Sequence, residues 1–277
     1  MKITGILYIV ATPIGNLQDI SLRALDVLKT VDLIAAEDTR HSKRLLTHFD
    51  IRTPTLSLHA HNEEEKNQKL IAMLQNNKHI ALISDAGTPL ISDPGYRLVS
   101  SAHEMSIKIV PVPGACAAMT ALCASGLPTD RFYFAGFLPT KSQARINRLN
   151  ELTHYSATLI LYEAPHRIVE LMEDIVKVMG PTRQVGIARE LTKKFETIYT
   201  DEAIHVLSKI KAHDEERLGE FVVMISGKSD DESLKEVEAL RVYALLSTDL
   251  SMKQAVKLAA EITGVKKNWL YETVLAQ

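Results

Sequence analysis

This 277-residue chain is short of several things, and each shortage removes a class of protein. It has two cysteines, Cys116 and Cys123, too few for a disulfide framework and in keeping with a reducing compartment. Seven apart in a helical pattern, they share a face and are expected in the core rather than in a disulfide. Basic excess is missing too: 32 Lys and Arg face 34 Asp and Glu, a net charge of −2. No global positive field therefore advertises nucleic acid, although a local basic face remains compatible with it. No segment is long and apolar enough to cross a membrane. The apolar start, Ile6 to Val10, leads into Ala-Thr-Pro-Ile-Gly rather than a small-residue cleavage site, so we read it as the first strand of a cytoplasmic protein. The G-x-x-x-x-G-K-[ST] and G-x-G-x-x-G phosphate and dinucleotide fingerprints are absent, as is the G-x-S-x-G elbow of hydrolases. Cys and His spacing fits no zinc site. His59 and His61 would need an Asp or Glu as a third ligand, and no metal is expected.

What is present is an alternation of apolar runs and helical patterns. Strands are expected at Ile6 to Val10, Val31 to Ala36, Thr55 to Leu58, His79 to Ile83 and Ile107 to Val110, with helices between them. That order predicts an α/β fold with a parallel N-terminal sheet. The link Ser125 to Asp130 reads as a domain boundary. After it, strands at Phe132 to Phe137, Thr158 to Tyr162, Gln184 to Ala188, Phe195 to Thr200 and Glu220 to Ser226 follow each other more closely. They predict a mixed α+β second domain with antiparallel pairs. From Ser229 the pattern is helical, with Ser251 to Tyr271 shaped like a helix-turn-helix. The expected organisation is thus residues 1–124, 125–228 and a tail at 229–277.

The chain centres on Ser84 to Gly95, twelve residues between a buried strand and a helix, where loops usually take about 2–6. Gly87 and Gly95 permit close approach of a ligand to the main chain, and Asp85 stands at the strand end. Three neighbouring loops, Ala11 to Leu17, Glu37 to His41 and His59 to Glu64, should open on the same crevice beyond the carboxyl ends of the strands. Together they bring Asp38, Arg40, His59, Asn62, Glu63 and Asp85 to one edge. Each has an ordinary reading as a helix cap, an ion pair or a solvated first turn; their convergence points to a site. In the second half, Lys141, Arg145 and Arg148 are expected on one helix face beside the aromatic Phe132 to Phe137, where phosphate and bases could be met.

Thr12-Pro13-Ile14-Gly15-Asn16-Leu17, Ala36-Glu37-Asp38-Thr39-Arg40, Leu58-His59-Ala60-His61-Asn62-Glu63, Ser84-Asp85-Ala86-Gly87-Thr88-Pro89, Pro111-Val112-Pro113-Gly114 and Arg189-Glu190-Leu191-Thr192 closely resemble the ribosomal RNA small-subunit methyltransferase I family. The wider group is the tetrapyrrole-methylase-like S-adenosylmethionine enzymes. The resemblance implies two α/β domains with S-adenosyl-L-methionine folded into the cleft between them, and a helix-turn-helix tail. It implies methylation of a ribose 2′-hydroxyl on a cytidine in the decoding region of 16S rRNA, on free rRNA or the small subunit, by a homodimer. Carried over by position, Thr12, Pro13, Asp85, Gly87, Thr88, Cys116, Ala117, Tyr162, Glu163, Leu191, Glu220 and Phe221 would bind cofactor; Cys116 stands where relatives often have Ser. Asp38, Glu63 and His59 are candidates for taking the hydroxyl proton, with Arg40 and Asn62 placing phosphate or sugar. A precorrin-type tetrapyrrole methyltransferase and a non-catalytic nucleic-acid-binding module are the rival readings.

Overall fold

A computed structural model describes residues 4–59, 62–228 and 232–275. Ala60 and His61, and Ser229 at the expected start of the tail, lie outside them. The first half runs β1 (Ile6–Val10), α1 (Leu22–Thr30), β2 (Leu33–Ala36), α2 (Thr39–His48), β3 (Thr55–Ser57), α3 (Glu63–Gln75), β4 (Ile80–Ile83), α4 (Tyr96–Glu104), β5 (Lys108–Val112) and α5 (Ala117–Ala124). The strands form one parallel sheet in the order β3-β2-β4-β1-β5. Side chains alternate across it, as the twofold strand period requires. Ile80 and Leu82 pack with Leu70, Leu74, Leu98 and Ala102 of α3 and α4. Ala81 and Ile83 pack with Ala24, Leu28 and Leu46 of α1 and α2 on the opposite face. Both faces are covered, which is why these strands are near-continuous apolar runs.

The second half runs β6 (Phe132–Phe137), α6 (Ser142–Leu152), β7 (Thr158–Glu163), α7 (Ile168–Met179), β8 (Gln184–Arg189), β9 (Thr197–Glu202), α8 (Ala203–Ala212) and β10 (Phe221–Ile225). Its sheet order is β6-β7-β10-β8-β9. β6 and β7 are parallel and the other pairs antiparallel, a mixed sheet. One face buries α6, α7 and α8; the other receives α5, whose Ala118, Ala121 and Leu122 pack on Ile160, Ala188, Val222 and Met224. The small residues of α5 let it lie close to the second sheet. The chain up to Thr153 together with Ala157–Ser226 forms one compact unit that holds both sheets.

The second unit comprises His154–Ser156 and the segment from Gly227 onward. Its helices are α9 (Glu232–Leu246), α10 (Met252–Thr263) and α11 (Lys267–Leu275). A capping box of Ser251 and Gln254 starts α10, and Gly264 ends it in a left-handed conformation at φ 74°. Ala239, Val256, Ala259, Ala260 and Leu270 form its core.

Three expectations need correcting. Cys116 precedes α5 with extended backbone and is half-buried, while Cys123 is exposed, so they do not pair as core residues. Arg145 is not on a basic face: it is 1% exposed, with Nε 2.6 Å from Asp174 Oδ2. The late strand runs Thr197–Glu202 rather than Phe195 to Thr200, because Lys193 N and Glu196 N close tight turns onto Glu190 O and Lys193 O.

Candidate active site in the cleft between the sheets

The carboxyl ends of β1, β2 and β4 and the second sheet enclose a cavity of about 430 Å³. Thr12 braces its first-domain wall: Thr12 N donates to Gly87 O at 2.8 Å and Gly87 N to Thr12 O at 3.0 Å. Gly87, at φ 83°, has no room for a Cβ without pressing on Ile14. Thr88 Oγ1 donates to Ala115 O at 2.9 Å, tying the central loop to the turn before α5. The loop then passes through two left-handed non-glycine residues, Leu90 at φ 70° and Ser92 at φ 72°, a conformation that costs about 1–3 kcal/mol each. Opposite Ser92, β6 has a register shift at Gly136, which has φ 63°, and a Cβ there would lie 3.3 Å from Ser92 Oγ. The bulge in one sheet accommodates the strained loop of the other, and Asp93 is thereby set into the cavity wall.

The lining is acidic. Glu37, Asp85, Asp93, Glu163 and Glu220 line the cavity, and no Lys, Arg or His does so among the described residues. Asp85 Oδ1 accepts from Asp38 N at 3.1 Å. Burial, with Asp85 and Asp38 nearby, pushes the Glu37 carboxyl above its usual range. Burial likewise raises Asp93 to about 6, with Glu37 and Asp85 adding to it and a Ser84 hydrogen bond opposing. Tyr162 OH accepts from Ala118 N at 3.1 Å, and burial, then the Cys116 sulfur, lifts its pKa to about 12. Glu163 is 2% exposed; burial raises its pKa, Oε1 accepts from Ala164 N, and Oε2 has no hydrogen-bond partner. An anionic, partly apolar cavity with an unused buried carboxylate oxygen suits a ligand that carries positive charge on an otherwise apolar and aromatic body.

Residues 6–204 match the family of tetrapyrrole (corrin/porphyrin) methylases, and residues 234–277 match the RsmI C-terminal HTH domain. The chain is 52% identical to the ribosomal RNA small subunit methyltransferase I of Pasteurella multocida, covering 98% of this chain and 97% of that one. It is also 52% identical to the enzyme of that name from Escherichia coli O157:H7, over 99% and 96% of the two chains. The chain belongs to the ribosomal RNA small subunit methyltransferase I family. Among solved structures, the uroporphyrin-III C-methyltransferase of Thermus thermophilus in complex with S-adenyl homocysteine superposes with a TM-score of 0.54 at 15% identity, over 81% of this chain and 98% of that one. That likeness establishes the tetrapyrrole-methylase fold.

In this member of the family, the residues assigned to the cofactor by position gather at the cavity. Asp85, Gly87, Thr88, Cys116, Ala117, Tyr162, Glu163, Leu191, Glu220 and Phe221 line it, whereas Thr12 is buried behind it and Pro13 does not line it. The five candidates for chemistry on substrate do not line it. Asp38 caps α2, accepting from Arg40 N at 2.8 Å, and pairs with the Arg40 guanidinium, which holds its pKa down at about 2. Asn62 Oδ1 accepts from His59 N, and Glu63 Oε1 accepts from Arg97 N at the start of α4. Sequence reasoning did not single out Glu37 and Asp93. Both sit in motifs that were visible, but Asp93-Pro94-Gly95 reads equally as turn chemistry.

Proposed function

We propose that this chain is an S-adenosylmethionine-dependent methyltransferase of small-subunit ribosomal RNA that methylates the ribose 2′-hydroxyl of a cytidine in the decoding region of 16S rRNA. It would work in the cytoplasm as a homodimer. The observation that carries the 2′-oxygen reading is Asp93: a hydroxyl nucleophile must lose a proton, and Asp93 is a cavity-wall carboxylate with a pKa of about 6. That value allows it to be ionised near neutral pH and still accept a proton as the bond to oxygen forms. The family names of the full-length relatives support the rRNA substrate.

S-adenosylmethionine, held in this cavity, supplies a methyl group already activated on a sulfonium. Around it, this chain's residues divide the work. Asp85 and Glu163 offer carboxylates to the ligand's positive charges, and Tyr162, Phe221 and Leu191 offer an apolar wall. The main chain at Gly87 allows close approach. Asp93 accepts the 2′-hydroxyl proton and passes it to solvent. Held in line, the reacting atoms gain mainly from orientation. At the rim, Arg40 and Asn62 place phosphate or sugar, with Asp38, His59 and Glu63 as their supports. The lack of any Lys, Arg or His in the lining among the described residues disfavours a large acidic macrocycle as the substrate. The test is incubation with radiolabelled S-adenosylmethionine and small subunits lacking the modification, followed by mapping of the label. Label on a ribose 2′-oxygen of a decoding-region cytidine is expected; label elsewhere, or none, refutes the reading.

A further inference from the structure

One helix departs sharply from the chain's charge balance. α2 reads Thr-Arg-His-Ser-Lys-Arg-Leu-Leu-Thr-His, and no acidic residue occurs between Asp38 and Asp50, although the chain as a whole carries −2. Ser42, Leu45 and Leu46 are buried, while Arg40, His41, Lys43, Arg44 and His48 are exposed. Several cations elsewhere are matched by a neighbouring carboxylate: Arg97 by Glu64, Arg148 by Glu151, Lys193 by Glu190 and Glu220. On α2, Arg40 is matched by Asp38, but Lys43 and Arg44 have no carboxylate within 4.0 Å among the described residues.

The position of this charge matters as much as its sign. α2 springs from the carboxyl end of β2, where Glu37 lines the cavity and Asp38 N is bonded to cavity-lining Asp85. Lys43 and Arg44 follow within about 8–9 Å along the helix axis from Asp38, at a rise of about 1.5 Å per residue. The acidic cavity repels a polyanion, so an anionic strand that presents one nucleotide there needs a positive surface beside the mouth. We propose that the exposed face of α2 docks the phosphate backbone of the RNA strand flanking the target nucleotide. This rests on the rRNA reading above. Uncompensated Lys and Arg side chains gain most from phosphate because they release its condensed counterions. Such contacts fix register and orientation rather than sequence.

The test uses the full chain carrying Lys43→Glu with Arg44→Glu, and as a control Lys177→Glu, an exposed cation on α7. Binding of purified, unmodified small subunits is measured over a range of salt, alongside S-adenosylmethionine affinity by calorimetry and steady-state methyl transfer. The double variant should bind subunits at least about tenfold more weakly at low salt and lose about two from the slope of log K against log salt. KM for subunits should rise while kcat and cofactor affinity hold, with the control matching wild type. Unchanged subunit affinity and slope would overturn the proposal and leave α2 to another partner. An equal loss in the control would also overturn it, as an effect of net charge. If the wild type itself neither binds nor methylates subunits, the functional reading fails and this inference fails with it.

Discussion

At Asp93, stability and chemistry pull in opposite directions. Its folded-state pKa of about 6 lies above the ordinary 3.8. Its contribution to stability is therefore fully present below pH 3.8 and is lost as pH rises through about 6, because the folded state holds the proton more tightly than the unfolded chain does. At pH 7.5 the ionised, half-buried carboxylate costs the ligand-free fold on the order of 1 kcal/mol, after allowance for solvent screening. Asp93→Asn should remove that cost: the apo protein melts at a higher temperature at pH 7.5, and its stability varies less between pH 4 and 6. The same change should lower single-turnover methyl transfer by about 10²–10⁴. Cofactor affinity, measured by calorimetry, should change little. In the wild type, log rate should climb with pH through the region near 6; in the variant that limb should be missing. A variant that transfers methyl at the wild-type rate would take Asp93 out of the proton-accepting role.

Elements show why some of this was legible in sequence and some was not. The strand, loop and helix around Ser84 to Gly95 were legible because Gly and Pro punctuate the backbone and an unbroken apolar run marks a strand buried on both faces. The packing of α5 on the second sheet was not, because an Ala-rich helix has no strongly biased face to say what it meets. Nor was the fate of Arg145, since spacing along a helix is the same for a solvated cation and a buried one. In the structure its guanidinium joins α6 to α7 through Asp174 and Glu170. Removing one partner leaves an uncompensated buried charge, so Arg145→Ala should destabilise the fold by about 3–5 kcal/mol. Replacing Arg145 and Asp174 together by Met and Leu should cost much less, since well-packed apolar residues often substitute for a buried pair. Denaturant melts of the two variants check this. Equal losses would mean that the pair acts through shape rather than charge.

For the whole molecule, the division of labour follows from where the residues of the cavity lie. Among the described residues, those that line it fall between Ile14 and Val222, inside the first compact unit. The segment of helices α9 to α11 has its own core and exposes Lys253, Lys257, Lys266 and Lys267. A chain ending at Ser226 should therefore fold and bind S-adenosylmethionine as tightly as the full chain does. If α2 supplies part of the docking surface, the shortened chain should also retain methyl transfer to unmodified small subunits, with a raised KM and a weaker dependence on salt. A nucleic-acid-binding module driven by its tail predicts the reverse, that the shortened chain loses RNA binding and never bound cofactor. Calorimetry with S-adenosylmethionine separates the two. If binding vanishes on truncation while the shortened chain keeps its cooperative melt, the cavity is not the cofactor site, and the first unit's acidic cleft needs a different ligand.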